Sequence, residues 1–216
     1  MLLLEVANRL KDNVCQFAYK ITDNVKEIRL MTNTLDRAKE MSIFRKRLEK
    51  SIKATIDRQK PEVLLLGPKM DGEGDSSRLR RELKERLWGL GLPVYAEHAE
   101  MVRAAKKGFK SCDNLSRLEL HIAHIVQLII LIPDSPGSFA ELGLFAHHEE
   151  ISRRLVILYN KRAKGVTKSF IFLGPIKYAD ELKVEILPTD YRKIERVWAK
   201  IVKYIEREKT RMADSL

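Results

Sequence analysis

The sequence predicts an α/β fold of the doubly wound type, Rossmann- or flavodoxin-like, with a mainly parallel sheet and an N-terminal helical extension. Three observations predict it. Short, continuously apolar runs at Val63–Leu66, Gln127–Pro133 and Leu155–Tyr159 read as strands buried on both faces. Stretches of helical period lie between them. Glycine- and serine-bearing loops follow the runs, where open parallel sheets place their ligand edge. The 216 residues suffice for one such domain and an appendage, divided here as 1–60 and 61–216.

In chain order, Leu3, Ala7, Leu10, Val14, Phe17, Ala18 and Ile21 recur at three- and four-residue intervals and mark a first helix. A second starts near Thr34 and ends before Pro61; it carries Arg37, Lys39, Arg45, Lys46, Arg47, Lys50 and Lys53. Neither can bury its apolar stripe alone, so the arm needs a partner surface, on the main domain or on a second subunit. Val63–Leu66 is the first strand, Lys69–Ser77 a polar loop and Arg78–Trp88 a helix. Gly89–Pro93 turns the chain into a strand at Val94–Ala96. Asn114–Val126 reads as a helix and Gln127–Pro133 as the most apolar strand. A helix then runs from the PDSPGSFAELG segment, Pro133–Gly143, to about Arg153. After the strand Leu155–Tyr159, Phe170–Leu173 and Val184–Leu187 are candidate edge strands. Thr189 or Asp190 caps a last helix with Ile194, Val197, Trp198, Ile201, Val202 and Ile205 as its stripe.

Composition narrows the function classes. Lys and Arg number 41 against 30 Asp and Glu, a formal charge of +11, which favours polyanionic neighbours. Cys15 and Cys112 stand far apart, so neither a zinc cluster nor a disulfide scaffold is expected, and both read as free thiols of a reducing cytoplasm. Glu5 and Arg9 interrupt the opening MLLLEV, unlike a signal peptide, and the run Ile125–Pro133 is too short to span a bilayer. A cytoplasmic protein without membrane contact is expected.

Two loops carry the chemistry. GPKMDGEGDSS, after Leu66, offers Gly67, Pro68, Lys69, Asp71 and Ser76 toward a ligand, with Arg80 on the helix that follows. It matches neither a Walker loop nor a dinucleotide fingerprint. Asp134, Ser135, Gly137 and Ser138 follow the most apolar strand and open a helix, an arrangement suited to a phosphate or carboxylate. Glu141 lies one turn further on. Its position three residues after Ser138 fits a capping box as well as it fits a reactive carboxylate. His148, seven residues past Glu141, shares its helical face, but HHEE reads as a solvated helix end; His121 and His124 lack a third ligand, and no metal is expected.

The string IILIPDSPGSFAELGLFA resembles the signature of nucleoside 2-deoxyribosyltransferase-like proteins, especially the deoxyribosyltransferase-like effectors of type II retrons. RRLVILYNKRAKGVTKSFIFLGPIKY and, more loosely, VLLLGPKMDGEGDSSRLRREL extend the likeness over roughly residues 62–178. The resemblance implies cleavage or transfer at an N-glycosidic bond of a nucleotide or NAD, taken as substrate, with no separate cofactor. It implies that Glu141 acts on the anomeric carbon, that Asp134 binds ribose hydroxyls or tunes Glu141, and that the loop residues above hold phosphate or sugar oxygens. Glu97 and Glu119 match acidic positions of the related effectors but read as surface carboxylates. Gln127 stands where those proteins commonly carry Asp. A homo-oligomer, and a retron reverse transcriptase with its RNA–DNA as partner, are likewise implied. A non-catalytic nucleotide sensor on the same scaffold, or a nucleic-acid scaffold working through Arg45–Lys53, remain the competing readings.

Overall fold

A computed structural model describes residues 34–105, 114–162 and 172–215. The expected first helix, the two cysteines and the Ala163–Ile171 part of the downstream likeness lie outside these residues. Contacts group Lys60–Arg211 into one compact unit and assign the chain up to Gln59, together with Met212–Leu216, to another. The helix Thr34–Arg58, α1, belongs to the latter; from Met41 onward its side chains are mostly exposed, with Arg45 and Glu49 paired one turn apart.

The larger unit runs β1 (Val63–Leu66), α2 (Asp75–Gly89), β2 (Val94–Tyr95), α3 (His98–Ala105), α4 (Leu115–Ile125), β3 (Leu128–Leu131), α5 (Pro136–Ala146), α6 (Glu149–Ser152), β4 (Leu155–Asn160), α7 (Lys177–Glu181), β5 (Glu185–Thr189) and α8 (Ile194–Asp214). The five strands form one sheet in the order β2-β1-β3-β4-β5, every pair parallel. This is the doubly wound fold, and its order reverses between β1 and β3.

Strand residues alternate between two cores because successive side chains leave a strand on opposite faces. Leu64, Leu66, Ile129, Leu131 and Ile157 pack with Ile122 of α4, Leu142 and Phe145 of α5 and Ala179 of α7. Val63, Leu65, Ile130, Val156 and Leu158 pack with Leu79, Leu83 and Leu87 of α2 and Val197, Ile201 and Ile205 of α8. Each fully buried aliphatic side chain contributes about 1.5–3 kcal/mol, so two filled layers hold the sheet from both sides. The helix α2 stops where Gly91 takes φ +69°. There the N–H of Gly91 donates to Trp88 O and that of Leu92 to Leu87 O, the bonds of a Schellman ending.

Three expectations are corrected. Of the expected edge strand Phe170–Leu173, the described part, Phe172 and Leu173, opens a wide π-type helical turn, Phe172–Ile176, leading into α7; Pro175 within it withholds an N–H from any ladder. The helix expected to reach Arg153 breaks after Ala146, where His147 turns its ring back to the carbonyl of Gly143 at 2.7 Å. His148 therefore precedes α6 and meets His124 edge-on at 6.0 Å, off the face of Glu141. The last helix starts at Ile194, and the Asp190 carboxylate is bound by Arg162 and Arg192. Among the described residues no helix is long and apolar enough to cross a membrane.

Candidate active site

The carboxyl ends of β1 and β3 lie side by side, joined by the N–H of Ile132 donating to Leu66 O at 3.0 Å. Gly67 follows at φ +150°, and a Cβ there would stand 3.0 Å from Ile132 Cβ and 3.2 Å from its carbonyl oxygen. Glycine lets the two strand ends approach, so the loops leave the sheet together.

Arg80 fills the space beneath this edge. Its guanidinium is buried and donates from Nη1 to the carbonyls of Gly67 (2.7 Å) and Pro68 (2.8 Å) and from Nη2 to those of Leu65 (3.0 Å) and Ala96 (2.6 Å). The residue expected to grip a substrate instead ties the ends of β1 and β2 to the loop between β1 and α2. Its Nε is buried and carries no hydrogen bond. Burial lowers its pKa, while Glu141, Glu97, Glu100 and Glu119 pull it back up.

The helix N-terminus after β3 is capped without Glu141. The cap is Ser135, not Ser138: its Oγ accepts from the N–H of Ser138 at 3.2 Å. Ser138 Oγ accepts in return from the N–H groups of Asp134 (3.0 Å) and Ser135 (2.9 Å), completing a capping box of two serines. Ser138 is thus buried and committed to the cap. Glu141 is left out of it. The carboxylate is half-buried, and its Oε2 is sealed from solvent without a hydrogen-bond partner. Its pKa is pushed up to about 7, first by burial and then by Glu119, against the attraction of Arg80.

Glu119 is the residue the sequence reading placed wrongly. It is buried, and burial raises its pKa against the pull of Arg80. The signal was present: Glu119 lies on the stripe that buries Leu118, Ile122 and Ala123, so it is an acid inside an apolar face. The like charge acting on Glu141 comes from this residue rather than from Asp134. Asp134 is exposed, and its field falls on Tyr191, whose buried hydroxyl donates to Leu158 O at 2.7 Å.

The other expected positions spread outward. Lys69 and Asp71 are exposed, Ser76 is buried at the start of α2, and Gly137 is exposed in the first turn of α5. Glu97 is held by Lys84 Nζ at 2.7 Å, which also binds Glu100 at 2.8 Å. Gln127 sits at the opposite, amino edge of the sheet. Its Oε1 accepts from the N–H of Glu62 at 2.8 Å and its Nε2 donates to Ile125 O at 3.1 Å. That position pins strand starts, far along β3 from the carboxyl edge.

A family described as STM3845 retron effector protein matches residues 77–215, which include Arg80, Glu119 and Glu141. Two Escherichia coli proteins are similar over a shorter stretch. The Retron Ec86 putative ribosyltransferase/DNA-binding protein is 42% identical over 64 residues, 30% of this chain and 20% of that protein. The Retron Ec73 counterpart of the same description is 38% identical over 65 residues, again 30% and 20%. The aligned stretch thus spans a fifth of the length of these relatives.

Proposed function

The chain belongs to the STM3845 retron effector protein family, and from that premise we propose that it cleaves, or transfers at, the N-glycosidic bond of a nucleotide or NAD as an effector of retron defence. The observation that carries this reading is the sealed, unpaired Oε2 of Glu141 beside a second buried carboxylate and a buried guanidinium. A carboxylate without a hydrogen-bond partner is costly to bury. Its retention at the switch point of the sheet fits a group awaiting a positively charged centre. The description of the Ec86 and Ec73 relatives as "putative ribosyltransferase/DNA-binding protein" supports the same chemistry.

In the proposed reaction the ionised Glu141 attacks the anomeric carbon, or stabilises it as positive charge develops, while the bond to the base breaks. The bonding pair leaves with the base and takes a proton. Glu119, whose burial favours its neutral form, supplies that proton. Water or an acceptor hydroxyl then displaces Glu141 and returns a proton to the pair. Two adjacent acids of this kind titrate as a unit, one ionised while the other holds the proton. Arg80 keeps the edge rigid and limits the repulsion between them. A neighbouring copy completing the site, and a retron reverse transcriptase with its RNA–DNA, are the proposed partners.

Chromatography of NAD and of nucleotides incubated with the protein, alone and released from its partner, tests the reading. Free base should accumulate with the native chain and stop with Glu141→Gln. Undiminished activity in that variant overturns the assignment, and saturable binding without base release assigns a sensor.

A further inference from the structure

A second feature lies on the same edge of the sheet, two strands away from β1. A cavity of about 210 Å³ opens where β4 and β5 end and α8 begins, lined by Lys161, Lys193, Arg196, Lys200, Asp190 and Val197 among others. Four of these are cations, and among the described residues none of the four is in an ion pair. The acid, Asp190, has a side chain only 3% exposed, and its two oxygens are taken by Arg162 at 2.7 Å and Arg192 at 3.4 Å. The carboxylate is neutralised from outside the cavity and leaves the four cations uncompensated.

The strand ends are locked around it. The N–H of Lys161 donates to Thr189 O at 2.9 Å, and that of Lys193 to Asp190 O at 2.8 Å. Lys193, just ahead of α8, and Arg196, Lys200 and Lys203 within it then follow at intervals of three and four residues, one row along its face. On the neighbouring face Val197, Ile201 and Ile205 are buried in the core, Val197 also forming part of the cavity wall, while Lys193, Arg196 and Lys203 are exposed and Lys200 is half-buried. The row extends about 15 Å at the rise of an α-helix, the axial length of about four nucleotides of one strand. A single small anion needs one pocket; a row leading out of it suits a chain of phosphates.

We propose that this pocket and the row along α8 bind the phosphate backbone of a nucleic acid, anchoring one phosphate between Lys161, Lys193, Arg196 and Lys200 and the next ones along the helix. The inference rests on the nucleic-acid partner proposed above and not on the chemistry of Glu141. Such a surface reads charge and spacing, not base sequence, so its affinity falls steeply with salt.

The test is fluorescence anisotropy of labelled oligonucleotides of about 20 residues, as DNA and as an RNA–DNA hybrid, titrated with the full chain across a salt series. The triple variant K193A/R196A/K200A removes exposed or half-buried cations that pack no core. It is expected to weaken binding about tenfold or more and to flatten the logarithmic salt slope by about 1, the share of the one phosphate these cations hold together. A charge-matched triple on α1, K46A/R47A/K50A, is expected to bind within about twofold of the native chain, since its loss of charge is equal and only its place differs. Equal losses in the two triples would mark diffuse charge attraction and overturn the site. Native-like binding by the α8 triple overturns it directly, and no binding by the native chain overturns the partner itself. Loss of a nucleoside monophosphate alone, with oligonucleotide binding intact, would hand the pocket to a small substrate and also overturn the proposal.

Discussion

Arg80 and Glu141 attract each other across the carboxyl edge of β1 and β3 yet share no hydrogen bond: Arg80 Nε and Glu141 Oε2 are both buried and both without a partner. A pair tuned for stability would close that gap, because an unmade buried hydrogen bond costs about 1–3 kcal/mol. Here four other donors of the arginine bonds are spent on strand-end carbonyls, so the guanidinium cannot swing to the carboxylate. The charge is held close and the bond is withheld.

The first consequence concerns stability against pH. Glu141 releases its proton near pH 7 in the folded protein and near 4.5 when unfolded. Between these values the folded state binds more protons, so stability falls as pH rises through the window and is fully reduced above 7. Glu141→Gln removes the cost. Urea unfolding should show the variant about 1–3 kcal/mol more stable than the native chain at pH 8 and equal to it at pH 4. A variant less stable at pH 8 would contradict the burial of an ionised, unpaired carboxylate.

The second concerns the pH dependence of base release. The reaction needs one acid of the pair ionised and the other protonated, so kcat/KM falls above an apparent pKa near 7 as the pair loses its last proton. Glu119→Gln withdraws both the like charge and the proton donor, so this falling limb should disappear and activity should rise through the lowered pKa of Glu141 to a lower plateau. An unmoved limb in a folded Glu119→Gln protein would separate the two acids.

Arg80→Ala should cost about 3–5 kcal/mol, since it leaves a group of buried carbonyls short of donors and two acids without their counter-charge. Arg80→Lys should recover only part of this, because a point ammonium cannot reach four carbonyls arranged for a fork. Denaturant midpoints of the three proteins check the order.

Two glycines separate close approach from ordinary helix. Gly67→Ala forces a side chain onto φ +150° and within 3.0 Å of Ile132 Cβ, and should cost about 2 kcal/mol. Gly143 lies inside α5 with nothing within 4 Å of an added Cβ. Gly143→Ala should gain about 0.5–1 kcal/mol. Melting temperatures shifting in opposite directions would bear out both.

By itself the sequence determined the parallel sheet and the loops at the carboxyl ends of its strands. Val63–Leu66 and Leu128–Leu131 are uninterrupted apolar runs followed by loop chemistry, and local pattern suffices to read such strands as buried and parallel. It also marked Glu141, through the segment that follows β3. Which residues cap that helix, which it left open, was settled by hydrogen bonds a few residues away: Ser135 and Ser138 cap each other, and Glu141 is left without that duty. Only the tertiary structure brought Glu119 beside Glu141, turned Arg80 into the tie of the strand ends, and set Lys161 against Lys193 and Lys200. Periodicity reports which face of an element is buried; the partner across that face comes from another part of the chain, and packing alone chooses it.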